Sequence, residues 1–197
     1  MKKVTMHLFL ASGLVVMMAS CGNNANSVGN GPDSTDPKKE AQAQNDSTFD
    51  SSHVKKDASF AVDMADAGML EVQLGQLAQK NAAAASVKNF GKQMVTDHGK
   101  ANDELMALAQ TKGISLPAAM SDKCQKMYNE LATKTGKDFD KAYIDAQVSG
   151  HKDVVDLLQK ESEKGEDPDV KAWAQGKLPA VQHHLEMAKK IEDGLKK

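Results

Sequence analysis

The chain has 197 residues, and its 25 basic residues are all lysine, set against 27 acidic ones. The formal charge of −2 becomes about −4 if Lys2 and Lys3 leave with a cleaved leader, too mild and of the wrong sign to attract nucleic acid. Without arginine there is no bidentate reader of phosphate or guanine, and no basic stripe carries interleaved aromatics, so no nucleic-acid partner is expected.

Lys2 and Lys3, the apolar run from Met6 to Met18 and the small residues that follow have the layout of a secretory signal peptide over residues 1–20. The run is shorter than the ~20 apolar residues of a spanning helix. Met18-Ala19-Ser20-Cys21 resembles the bacterial lipoprotein cleavage box, which predicts lipidation of Cys21. Acyl chains bury about 0.8 kcal/mol per methylene, so the membrane is a partner through an anchor at Cys21 and not through a span. The expected location is the periplasm or cell envelope, at the outer membrane. The only other cysteine is Cys124, so no intrachain disulfide framework is available. Cys124 shares helical spacing with Met120, Met127 and Leu131 and reads as a small buried hydrophobe.

Residues 21–57 are rich in Asn, Ser, Asp, Gly, Gln and Lys and have too little apolar surface to offset ordering entropy. They are expected to form a disordered tether, with His53 solvated. Residues 58–197 switch to helical periodicity, with no alternating strand pattern. A first helix carries Phe60, Met64, Ala67, Glu71, Leu74 and Ala78, with Asp57 or Ser59 as cap. A second carries Val87, Phe90, Met94, His98, Leu105 and Leu108 and stops at Gly113. The link around Asn81 to Ala84 is short enough to force an antiparallel hairpin. After Leu116-Pro117 a short helix from about Ser121 to Thr135 ends at Gly136. A long helix follows with Tyr143, Ile144, Val148, His151, Val155 and Leu158. The last one starts at Asp167-Pro168 and carries Trp173, Val181, His184, Ala188 and Ile191, with Pro179 expected to kink or interrupt it. The fold class is therefore all-α: a ferritin-like four-helix bundle of two hairpins, joined by a crossover segment with an additional short helix.

Four ionisable residues, Glu71, His98, His151 and His184, occupy the apolar stripes of four different helices. His98 and His151 lie about fourteen residues from either end of their helices, and Glu71 and His184 fall within about a turn of that level at ~1.5 Å per residue. A buried carboxylate left unpaired costs several kcal/mol, so Glu71 needs a partner. Three arrangements satisfy it: a metal held by Glu71, His98, His151 and His184, a carboxylate bonded to imidazolium, or a wet cavity. Such a donor set suits one divalent transition ion, Zn, Fe or Mn, and Met94 makes Cu conceivable. His183 and Asp97 fall on outward faces, and Asn102 stands one turn beyond His98, in reach of it. No phosphate loop, zinc-type Cys pair, His-Glu-x-x-His or nucleophile elbow is present, so no catalytic residue is assigned and the reading leans away from an enzyme.

Gly68, Glu71, Gly75 and Ala78, then Phe90, Met94, Asp97-His98, Asn102 and Leu105, then Phe139-Asp140, Tyr143 and His151, and finally Leu178-Pro179 with His184-Leu185 and Ala188, resemble the bacterial domain-of-unknown-function family 4142. The resemblance implies a ferritin-like bundle in exported, often envelope-associated proteins, favours His184 over His183, and brings no established activity. Di-iron members of the wider ferritin-like class pair Glu with His three residues on, whereas here Val95, Val148 and Val181 precede the histidines. A single-ion site is therefore expected in place of a di-iron centre. The alternative is an envelope interaction or structural module, partner unknown, whose polar core only specifies packing.

Overall fold

The computed structural model describes residues 36–196, so the leader and the lipidation expected at Cys21 lie outside the described residues. Six helices follow in order: α1 (Pro37–Thr48), α2 (Ser52–Asn81), α3 (Ala85–Lys112), α4 (Asp122–Ala132), α5 (Gly136–Lys164) and α6 (Pro168–Leu195). Among the described residues no strand forms, and no helix is long and apolar enough to cross a membrane.

The two hairpins are α2–α3 and α5–α6, and they pack with α2 beside α5 and α3 beside α6. The α2–α3 contact is close because Gly75 faces Gly91: a Cβ on Gly91 would stand 2.6 Å from the Ala78 Cβ, and one on Gly75 would stand 2.5 Å from the Gly91 carbonyl oxygen. Gly113, left-handed at φ 67°, ends α3 in the way only glycine does without strain.

Three buried aspartates fix how the hairpins meet. Asp140, in the first turns of α5, accepts the backbone N–H groups of Ala83 (3.0 Å) and Ala84 (2.9 Å) in the α2–α3 turn. Asp57, early in α2, accepts those of Asp167 (2.6 Å) and Glu166 (3.2 Å) in the α5–α6 turn. Each end of α2 is thus tied to the opposite end of α5, which makes the pair antiparallel. Asp66 holds the crossover by accepting from Ser121 N and Oγ, both at 2.8 Å. The segment then runs along α2 until Asn81 Nδ2 donates to the Lys134 carbonyl at 2.9 Å.

One expectation is corrected in part. Of the expected tether over 21–57, residues 21–35 lie outside the described residues, while 36–57 is ordered and docked, with α1 over Pro37–Thr48 and α2 starting at Ser52. Asp36 caps α1 through Lys38 N (2.9 Å) and Lys39 N (3.2 Å), with Pro37 at the first helical position. Docking is polar: Asn45 exchanges two hydrogen bonds with the backbone of Ser115, Asp36 accepts from Asp122 N at 3.0 Å, and Lys38 pairs with Asp63 at 2.8 Å. A search for apolar stripes passes over a helix held in this way. His53, expected to be solvated, is exposed but lies 3.1 Å from Glu166. Pro179, expected to kink or interrupt α6, does not interrupt it: the helix continues across it with Val181, His184 and Ala188 buried on its far side. Packing of that face offsets the ~3 kcal/mol that an interior proline costs a helix.

The apolar core falls into two halves. One holds Leu70, Leu74, Phe90, Met94, Tyr143 and Ile144, and the other Phe60, Met64, Leu105, Leu158, Ala174 and Val181. His98, His151 and His184 lie along their helices between the last residue of one half and the first of the other.

Replacing Asp140 by Ala removes two hydrogen bonds from part-buried backbone donors to a buried carboxylate, each worth about 1–2 kcal/mol. Urea unfolding at neutral pH should show Asp140→Ala less stable by about 2–4 kcal/mol, while Asp156→Ala, exposed on the same helix, changes by less than about 0.5.

Candidate metal centre

The mid-helix positions of His98 on α3, His151 on α5 and His184 on α6 bring their rings into a nearly equilateral triangle. Centroids are 5.6 Å apart for His98 and His151, 5.4 Å for His98 and His184, and 5.6 Å for His151 and His184. All three side chains are buried, and one ring nitrogen of each lies within 4.8 Å of one on both others.

Hydrogen bonding fixes two of the tautomers. His151 Nδ1 stands 3.0 Å from the Gln147 carbonyl oxygen, which only accepts, so Nδ1 carries the proton and Nε2 keeps its lone pair. His184 Nε2 stands 2.9 Å from the Asp97 carboxylate, so Nε2 donates and Nδ1 keeps its lone pair. His151 Nε2, His184 Nδ1 and His98 Nε2 are buried without a hydrogen-bond partner. A buried polar atom left unpaired costs about 1–3 kcal/mol, and here three such atoms sit on three adjoining rings.

Burial also settles the charge. It takes His98 down to about 3, with His151 and His184 adding to the effect, and His151 to about 4 against the opposing pull of the Gln147 carbonyl. It lowers His184 as well, with Asp97 opposing. Neutral imidazoles with free lone pairs are the form that ligates metals, and an N–H held by a carboxylate or carbonyl is the usual orienting partner.

Glu71 adjoins the triangle but is not a corner of it. Its Oε2 accepts from Gln147 Nε2 at 2.8 Å, and its Oε1 is 4.0 Å from His151 Nδ1, the nitrogen already committed to a carbonyl. Burial raises its carboxyl to about 7, with the Gln147 bond opposing. The structure therefore joins three of the four expected residues as a donor set and gives Glu71 a protein partner. The nearby cavity of about 20 Å³ is lined by His98, His151, Glu71 and Trp173, enough for one water-sized species.

Asp97 and Gln147 are the functional residues that the sequence reading missed. Asp97, on a face read as outward, reaches across to α6. Gln147 sits one turn before His151 and serves both His151 and Glu71. Its contact with His151 uses the backbone carbonyl, which any residue there supplies, so the available signal was a polar side chain on the buried stripe of α5. Asn102 packs over Gly68, where a Cβ would meet its Oδ1 at 1.9 Å. His183 is exposed, as expected. Met94 is fully buried in the apolar half next to Phe90.

A family model described as "Domain of unknown function (DUF4142)" matches residues 38–191. No curated protein matches the chain. The solved structure "CopM in the Cu(II)-bound form" is similar in fold, with a TM-score of 0.60 and 17% sequence identity over 70% of this chain and 96% of that one.

The buried imidazoles should make the protein acid-sensitive. Below about 6.5 the unfolded chain takes up protons that His98 and His151 refuse in the folded state, so stability is full above that pH and falls as pH drops towards 4. Glu71 and Glu161, both raised to about 7, act in the opposite sense between about 4.5 and 7, which makes a variant comparison the clean readout. In urea unfolding between about pH 7.5 and about pH 5, wild type should lose about 2 kcal/mol more than His98→Gln. Equal losses would mean that His98 is not held neutral.

Proposed function

We propose that this chain, which belongs to the DUF4142 family, binds one transition-metal ion between His98, His151 and His184, and that the ion is copper. The observation that carries the reading is the coincidence of three buried ring nitrogens without hydrogen-bond partners on three neighbouring rings, two of them held unprotonated by the bond their ring makes at its other nitrogen. An ion about 2.0–2.1 Å from three imidazole nitrogens in trigonal or tetrahedral array sets ring centroids roughly 5.2–5.5 Å apart, close to the spacing here. The nitrogens all lie within 4.8 Å of one another, against ~3.4 Å in a closed site, so a small rotation of rings already at the right separation is enough to close it.

Copper is favoured over Zn, Fe and Mn on two grounds. Imidazole sites bind Cu(II) most strongly among first-row divalent ions, and Glu71, the one carboxylate that would suit a harder ion, is bonded to Gln147. The fold likeness to CopM, seen in a Cu(II)-bound form, points the same way. The role is binding and not turnover of an organic substrate, because the cavity at the rings holds only a water-sized species. The proposed setting is the cell envelope, with the domain carried on lipidated Cys21. The leader-like run up to Ser20 supports that placement.

Trp173 is the only tryptophan and lines the cavity beside His98, so Cu(II) bound there should quench its emission at one equivalent. His98→Gln, His151→Gln and His184→Gln should each weaken binding by more than about 100-fold and Asp97→Asn by about 10–100-fold, with exposed His183→Gln unchanged. Bound at 100 times its dissociation constant, the ion should stabilise the fold by about 2.7 kcal/mol. A protein that takes up no stoichiometric metal, or binds equally well without His98, would leave the polar layer as a packing device only.

A further inference from the structure

Resting on that reading, we infer a route by which the ion reaches the triad: a groove between α2, α4 and α5, with Glu71 as the transfer ligand in its inner wall. This groove, about 300 Å³, is open to solvent and lined among others by Glu71, Gln147, Gly150, Asp153 and Val154. The small cavity at His98 and His151 shares with it Ala67, Glu71 and Val154. Those three side chains are therefore the partition between the groove and the small cavity at the histidines. Ala67 and Val154 have no donor atom and little freedom to move, whereas Glu71 has both a carboxylate and three rotatable bonds.

Three further features fit passage of a cation at this point. Gln147 Oε1, beside Glu71, is a buried oxygen without a hydrogen-bond partner, so the wall offers a second oxygen donor next to the carboxylate. Gly150 has no side chain where one would close the gap, and a Cβ there would come within 3.8 Å of Glu71 Oε1. At the mouth, Asp63 and Asp66 are engaged by Lys38 at 2.8 and 3.7 Å, while exposed Asp153 on the opposite bank makes no ion pair among the described residues. The carboxylate takes the ion from water in the groove together with Gln147 Oε1, then turns inward and passes it to His151 and its neighbours. Glu71 ends beside the site and not in it, returned to its bond with Gln147 Nε2.

The other approach is the α3–α6 seam, where partly exposed Asp97 reaches His184 Nε2 at 2.9 Å. The two routes separate kinetically. Stopped-flow mixing of the protein with Cu(II), read by Trp173 emission, gives the uptake rate, and excess EDTA gives the release rate. Glu71→Gln keeps the shape of the side chain, and Gly150→Val narrows the gap. Both should slow uptake and release together by about tenfold or more, equivalent to about 1.4 kcal/mol added to the passage barrier, with the dissociation constant little changed. A Glu71 that only attracts the bound ion gives the opposite sign for release, which would quicken in Glu71→Gln. That result overturns the route, as do unchanged rates in both variants or a matched slowing of both rates in Asp97→Asn alone. Failure of wild type to bind Cu(II) overturns the metal site itself and the route with it, an outcome distinct from binding with unaltered kinetics.

Discussion

Keeping three imidazoles neutral and unpartnered at the centre of a helix bundle is the constraint on which the rest of this structure depends. In water each ring would find hydrogen bonds at no cost, but at mid-bundle each bare nitrogen needs a ligand or a penalty of about 1–3 kcal/mol. The fold arranges itself around that demand. Apolar packing is withdrawn from the middle level, so that Leu70, Phe90 and Tyr143 fill one half of the core and Phe60, Leu105 and Leu158 the other. The outer nitrogens of His151 and His184 are held by Gln147 and Asp97, so the free lone pairs face a neighbourhood of like donors.

That arrangement requires three helices to stop at the same height, and hydrophobic packing alone, being non-directional, does not set height. Directional bonds from buried carboxylates do. Asp140 ties α5 to the α2–α3 turn, Asp57 ties α2 to the α5–α6 turn, and Asp66 ties the crossover to α2. A slip of one residue along a helix moves a ring by about 1.5 Å and turns it off the seam. The close approach of α2 and α3 at Gly75 and Gly91 adds a lateral stop to these axial ones.

The helices, the two hairpins and the common level of the histidines were legible because apolar periodicity and residue counting report on position along a helix. Rotamers were not legible. Glu71 shares the stripe and the level of the histidines, yet a bond to Gln147 takes its carboxylate away from their free nitrogens. Asp97 looked outward on its helix, but a carboxylate at a helix edge is long enough to cross to the neighbouring one. α1 escaped detection because it docks through Asp36, Lys38 and Asn45 and carries no apolar stripe, although its Asp-Pro start was a visible cap. Ser51 caps α2, and Asp57, expected with Ser59 as one of two alternative caps of that helix, instead serves a turn some 109 residues away, a pairing that only the folded chain reveals.

X-ray absorption at the copper edge on the protein loaded with one equivalent of Cu(II) tests the central claim most directly, because it counts donors by type. The account predicts about three nitrogen scatterers near 2.0 Å with the outer-shell pattern of imidazole rings, and no sulfur from Met94 or Cys124. A first shell made of oxygen, or one that contains sulfur, would contradict it.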